Sequence, residues 1–231
     1  RFVLRVDGAA WRRPGVDRVR ERRLHDAAAV AGLAPRVLRR DAALGAQVSE
    51  FLDGRIWNAT DFTRAESLTC LGERLVTLHE LPAPDGVTRF DPGDCARQYL
   101  QTLASGHGNL QHARALADAV GTAAQRVAAD SRAEGIVHGD LVAANLIEDR
   151  VLWLLDWEYA QLADPIYDVA CLLAYYPAAR SHAGLLLSAA GLRNTGDTAR
   201  LGAAIAVYEG LTALWWLARG EQQPAGGQLA G

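Results

Sequence analysis

A short β hairpin at Asn145–Asp156 constrains this chain more than any other feature. It is the one extended segment expected inside a long helical stretch, and it has polar oxygen-bearing residues at its mouth. Leu146-Ile147-Glu148 and Val151-Leu152-Trp153-Leu154-Leu155 flank Asp149-Arg150, which reads as a two-residue turn. Val137-His138-Gly139-Asp140 precedes it and Leu155-Asp156-Trp157-Glu158 closes it. A hairpin carries its second strand back to where the first began, so Asp156 returns beside the loop bracketed by Asp140 and Asn145. Two carboxylates and an amide oxygen then converge, a hard-oxygen set that suits Mg²⁺. Phosphoryl transfer of the kinase type uses these groups. One aspartate accepts the proton of the attacking hydroxyl, while an asparagine five positions on and a second aspartate hold the metal. Each residue alone reads as a turn cap or an ordinary strand-end acid; all three in order, around a hairpin, do not.

The texture on either side sets the fold class. Phe2, Leu4 and Val6 alternate with Val3 and Arg5 as in a strand. Pro14-Gly15 breaks the chain, and Asp17 caps a helix ending at Gly32, on which Glu21, Leu24, Ala28 and Ala31 share one face. Strands follow at Arg36–Leu38 and Gln47–Leu52, with turns at Asp41 and Asp53-Gly54. Beyond these, helices are expected at Thr63–Glu80, Cys95–Leu103, His112–Ala133, Pro165–Tyr176, His182–Ala190 and Thr198–Arg219, with a frayed tail from Gln222. The expectation is an α+β chain: a small strand-rich lobe over residues 1–54 and a larger helical lobe over residues 55–231.

Composition removes competing classes. All 24 basic side chains are arginine, so neither a Walker A loop nor lysine Schiff-base chemistry is available. A net charge of −3 without a basic stripe argues against a nucleic-acid partner. No uninterrupted apolar run reaches the length of a membrane span, roughly 18–20 residues. Cys70, Cys95 and Cys171 are widely spaced with no CxxC, as expected in a reducing, cytoplasmic setting without zinc. There is no G-x-S-x-G elbow and no H-E-x-x-H site. The chain has no methionine and opens inside a strand, so its natural N-terminus is expected upstream.

His138-Gly139-Asp140 through Asn145, with Leu155-Asp156-Trp157-Glu158-Tyr159-Ala160, resembles the catalytic and metal-binding segments of the aminoglycoside phosphotransferase and choline kinase family. These are small-molecule kinases with a protein-kinase-like fold, and the likeness runs along nearly the whole chain. It implies ATP as co-substrate, Mg²⁺ as cofactor, Asp140 as base, and Asn145 and Asp156 as metal ligands. In Asp164-Pro165-Ile166-Tyr167-Asp168 the second aspartate would brace the catalytic loop, with His138 as a buried hydrogen-bonding member. Val3-Leu4-Arg5-Val6 resembles the strand bearing the phosphate-side cation, which makes Arg5 that cation and Glu21 its acidic partner. Ser49-Glu50-Phe51-Leu52 resembles the hinge, where the main chain of Glu50, Phe51 and Leu52 would hold adenine. The family's phosphate-covering loop would precede Arg5.

Only twelve positions separate Asp156 from Asp168, too few for a peptide platform, so the expected acceptor is a small alcohol. Nine of the sixteen aromatic residues lie between Trp153 and Trp216, where they either cage a quaternary ammonium group or fill the helical core. Trp157, Tyr159 and Trp215, with the charge of Glu158, are the candidate substrate contacts; Thr212 stands where choline kinases often have a further tryptophan. Choline or ethanolamine is the leading expectation. Thiamine, an aminoglycoside, or a nucleotide-binding protein without catalysis are the alternatives.

Overall fold

A computed structural model describes residues 1–7, 16–104, 110–129 and 134–220. The expected break at Pro14-Gly15, the helix end at Ala133 and the tail from Gln222 lie outside the described residues. In chain order the elements are β1 (Phe2–Val6), α1 (Arg18–Val30), β2 (Val37–Asp41), β3 (Ala46–Glu50), β4 (Arg55–Ile56), α2 (Ala65–His79), α3 (Pro92–Ala104), α4 (Leu110–Ala128), β5 (Gly135–Val137), β6 (Leu146–Glu148), β7 (Leu152–Leu154), β8 (Gln161–Ala163), α5 (Ile166–Tyr175), α6 (Ala183–Ala189) and α7 (Thr195–Arg219). The architecture is α+β and mostly helical.

The first sheet is antiparallel in the order β1-β3-β2, with Leu4 opposite Val48 and Gln47 opposite both Arg5 and Arg40. β1 alternates as expected, but its Phe2, Leu4 and Val6 face is exposed and forms no core, because no described layer covers that face of the sheet. Its other face sends Arg5 toward α1. Asp17 caps that helix, its Oδ1 accepting from the N–H groups of Val19 (2.8 Å) and Arg20 (3.2 Å). The apolar stripe buries Leu24 and Ala28, and Glu21 and His25 are buried beside them. This face leans on the 3₁₀ turn Trp157–Tyr159, which couples the small sheet to the segment after the hairpin.

Helix α2 shows the spacing Leu68, Leu71, Leu75, Leu78, and all four are fully buried. Each contributes about 1.5–3 kcal/mol of hydrophobic stabilisation. Gly72 on the same helix lets α6 approach: a Cβ there would stand 2.4 Å from Cβ of Ala189. The larger layer is the packing of α3, α4 and α5 on α7. Helix α7 starts three residues earlier than the apolar pattern indicates, because Asn194 and Asp197 form a capping box. Gly196–Arg219, although interrupted by Asp197, Arg200 and Glu209, is long and apolar enough, by length and composition alone, to cross a membrane. Its stripe of Leu201, Ala204, Val207, Tyr208, Leu211 and Leu214 is buried against α3, α4 and α5, which gives that apolarity a use inside the fold.

Two more short pairings accompany the hairpin. β4 joins it to make the sheet β4-β6-β7, and β5 pairs antiparallel with β8. The hairpin loop holds three residues rather than two: Glu148 pairs with Leu152, the Asp149 N–H donates to the Val151 carbonyl, and Val151 N–H donates to Asp149 Oδ1.

Candidate active site

The Asp140 loop is held from behind by one buried carboxylate. Asp168 lies in the first turn of α5 with no exposure. Its Oδ2 accepts from the His138 N–H (3.0 Å) and its Oδ1 from the Gly139 N–H (2.9 Å). His79, ending α2, places Nε2 3.0 Å from Oδ2. Three elements far apart in sequence therefore meet on one side chain. Gly139 adopts φ +76°, and a Cβ there would stand 2.8 Å from the Tyr159 carbonyl oxygen, so only glycine lets the loop pass this close.

His138 is fully buried and engaged at both ring nitrogens. The Asp140 N–H donates to Nδ1 (3.3 Å), so Nε2 carries the proton and donates to the Leu155 carbonyl (2.8 Å). Burial pushes its pKa down, leaving a neutral imidazole that joins the loop to the end of β7. Leu155 N–H in turn donates to the Asn145 carbonyl at 2.8 Å. The loop and the hairpin end are thus one hydrogen-bonded unit.

Asn145 donates through Nδ2 to the carbonyl oxygen and to Oδ2 of Asp140, both at 2.9 Å. With the nitrogen side committed, Oδ1 remains as the amide's acceptor. Asp156 has φ +57°, the one non-glycine residue with positive φ among the described residues. An L residue there costs about 1–2 kcal/mol, a strain that collects at functional sites. Burial, and next the charge of Asp156, push the Asp140 carboxyl up to about 7, against the bonding from Asn145. Two nearby carboxylates with no cation between them have this effect. Among the described residues no three His, Cys, Asp or Glu side chains cluster as a metal site by themselves. Asn145 and Asp156 nonetheless fit Mg²⁺, which keeps several waters and takes few protein oxygens when phosphates supply the rest.

Asp140, Asn145 and Asp156 open on a cavity of about 650 Å³. Glu158, Tyr159 and Trp215 line it too, with Trp57, Phe90, Tyr99, Tyr175, Tyr176, Tyr208, Gln161 and Thr212. Tyr176 also positions the loop: its hydroxyl accepts from the Ala143 N–H at 2.7 Å, and its ring stacks on Phe62 at 3.8 Å. Trp215 is shared, since the Arg219 guanidinium lies 4.6 Å over its ring.

Trp157 is not part of this lining. It is buried beneath the loop, edge-on to His138 at 4.9 Å and stacked with His25 at 6.2 Å, its Nε1 donating to the Leu154 carbonyl. A tryptophan in the 3₁₀ turn after β7 faces the α1 stripe, whereas Glu158 and Tyr159 face the cavity. Arg5, Glu21, Glu50, Phe51 and Leu52 also lie outside the cavity lining. Arg5 Nη1 stands 2.6 Å from Oε1 of Glu21, whose side chain is 2% exposed. Arg18, which the sequence reading missed, bridges the other Glu21 oxygen (2.5 Å), Glu158 (3.3 Å) and Asp7 (3.1 Å). The acid proposed for a substrate cation is therefore already paired. At the hinge segment the Glu50 N–H is committed to the Arg36 carbonyl and its carboxylate to the Arg36 guanidinium, while Phe51 is exposed beneath Arg1.

Known structures share this arrangement of elements. A choline/ethanolamine kinase family protein from Mesorhizobium loti superposes with a TM-score of 0.79 at 24% identity, covering 94% of this chain and 74% of that one. The choline kinase LicA from Streptococcus pneumoniae gives 0.73 at 19%, covering 98% and 81%, and LicA is also known in complex with AMP. An aminoglycoside phosphotransferase from Alicyclobacillus acidocaldarius gives 0.61 at 14%, covering 97% and 79%. At these identities the likeness is one of fold, the protein-kinase-like fold of these enzymes. No curated protein matches the sequence. Residues 1–209, from the Arg5 strand through the aspartate loop and hairpin into the middle of α7, match the phosphotransferase enzyme family (APH), and the chain belongs to that family.

Proposed function

We propose that this protein is a kinase of a small cationic alcohol, choline or ethanolamine first, using Mg·ATP. The observation that carries the reading is the convergence of Asp140, Asn145 and Asp156 on one aromatic, acid-lined cavity. Residues 1–54 would form the nucleotide side and residues 55–231 the catalytic and acceptor side. The three free thiols suit a cytoplasmic setting.

Asp140 is the group we assign to accept the proton of the acceptor hydroxyl, because it opens on the cavity beside Asn145 and Asp156. Asn145 Nδ2 holds that carboxylate in place. Asn145 Oδ1 and Asp156 would hold Mg²⁺, which supplies charge neutralisation for the phosphates when bound. Arg5, oriented by Glu21, is the phosphate-side cation. Tyr159, Tyr208 and Trp215 line the cavity, and an aromatic face turned toward a cationic acceptor contributes about 0.5–2 kcal/mol.

The test is ADP release with Mg·ATP and a panel of choline, ethanolamine, thiamine and an aminoglycoside, run beside Asp140→Ala. Turnover with one amine, reduced about 10²–10⁴-fold in Asp140→Ala with folding intact, is the expected result. Near-normal turnover in Asp140→Ala would remove it as the base, and a silent panel would remove the cationic-alcohol reading.

A further inference from the structure

Gln161 has no part in the machinery above, yet its amide meets the cavity. It opens β8, where its main chain pairs with Val137, and the residue is 8% exposed. A glutamine amide carries two N–H donors and an acceptor oxygen. Among the described residues none hydrogen-bonds that amide, and its atoms are not sealed away from open space. Water can pair that amide while the cavity is open, but a ligand that displaces the water must replace its hydrogen bonds or leave the amide unpaired at a cost. The strand beneath it is fixed on both sides, by β5 and by the Phe90 N–H, which donates to the Leu162 carbonyl at 2.8 Å. The amide is therefore held at a set place on the wall and lacks a partner that the fold itself supplies.

The rest of the wall indicates the partner's chemistry. It is lined by the acids Asp140, Asp156 and Glu158, the last already paired with Arg18 from behind, and by several aromatic residues, with no arginine or histidine among the described lining residues. Such a wall selects a cation. A quaternary ammonium offers only C–H groups to Gln161 and would leave the amide oxygen unpaired. An ammonium group with N–H bonds satisfies it. We propose that Gln161 is a specificity-determining residue whose Oε1 accepts from an N–H of the acceptor's ammonium group, so that primary and secondary amino alcohols are preferred over quaternary ones. This rests on the kinase reading above and narrows its substrate class.

The experiment compares ethanolamine and choline in two readouts, KM and kcat for ADP release and Kd by calorimetry, in the wild type, Gln161→Leu and Gln161→Glu. The wild type is expected to favour ethanolamine. Gln161→Leu should raise KM and Kd for ethanolamine about tenfold, the loss of one hydrogen bond, with kcat nearly unchanged and choline within about twofold. Gln161→Glu keeps an acceptor oxygen and should keep the preference; if the leucine variant fails to fold, this variant and the wild-type preference decide. Equal effects on both amines, a wild type that favours choline, or loss of preference in Gln161→Glu would overturn the assignment. ADP release absent while ethanolamine still binds through Gln161 would overturn the kinase reading alone, and absence of binding by either amine would overturn both.

Discussion

Replacing Asp168 tests whether the active loop is held from behind as the structure describes. Asp168→Ala removes the acceptor for two backbone N–H groups, on His138 and Gly139, and for Nε2 of His79, all at 2.9–3.0 Å in a site without exposure. Hydrogen bonds to a charged group contribute about 1.5–3 kcal/mol each, and a buried donor left without a partner costs a similar amount. Water entering the vacated space recovers part of this, so the net loss is about 3–6 kcal/mol, a large share of the 5–15 kcal/mol typical of a whole domain. Nδ1 of His79 is already buried without a partner, so that side chain has nothing else to turn to. Asp168→Asn keeps the shape and one acceptor and should lose about half as much. Urea unfolding of the wild type and both variants measures these values, with ADP release as the second readout, since a loosened loop displaces Asp140. A loss below about 1 kcal/mol in Asp168→Ala, with activity kept, would refute the bracing role.

Three further expectations follow from the geometry. Asp156→Gly should be more stable than Asp156→Ala by about 1 kcal/mol in EDTA, because φ +57° strains alanine and not glycine, while both weaken Mg·ATP binding in calorimetry. Equal melting temperatures would show that the backbone relaxes. Arg18→Ala should destabilise the fold by about 1–3 kcal/mol and raise KM for ATP more than it lowers kcat, because Glu21 loses one of its two arginine pairs and Glu158 loses its ion pair with Arg18; a change in kcat alone would contradict this. Asp61 is buried and held below the usual carboxylate range, first by hydrogen bonds from Arg55. Its folded pKa is depressed, so its contribution is complete above the unfolded value of about 3.9 and is lost as pH falls through the folded one. Arg55→Gln should therefore flatten the fall of melting temperature below pH 4, and an unchanged slope would remove Asp61 from acid unfolding.

How much of the site was legible follows from how local each part is. Asp140, Asn145 and Asp156 span one loop and one hairpin, so spacing alone predicts their meeting, even though the hairpin turn is one residue longer than expected. The pairing of Arg5 with Glu21 was accessible only through the family resemblance, because a strand residue and a helix residue have no shared period. Arg18 could have been found from helix spacing instead, as a cation three positions before Glu21 on the α1 face. Gln161 gave no signal, since β8 is three residues long and such strands carry no measurable alternation, and Phe90 and Tyr99 reach the cavity from a loop and from α3, far from the motif in sequence.

The chain's own pattern determined the α+β class, the α1 cap at Asp17, the α2 leucine stripe and the order of the acidic motif, because each depends on neighbours within a few turns of chain. Tertiary structure alone decided that Trp157 turns inward onto His138 and His25, that the apolar face of β1 looks outward, and that His79 and Asp168 meet behind the loop. It also placed an unpaired glutamine on the cavity wall. Burial and charge pairing depend on which segments pack together, and residues dozens of positions apart share no local rule that could announce it.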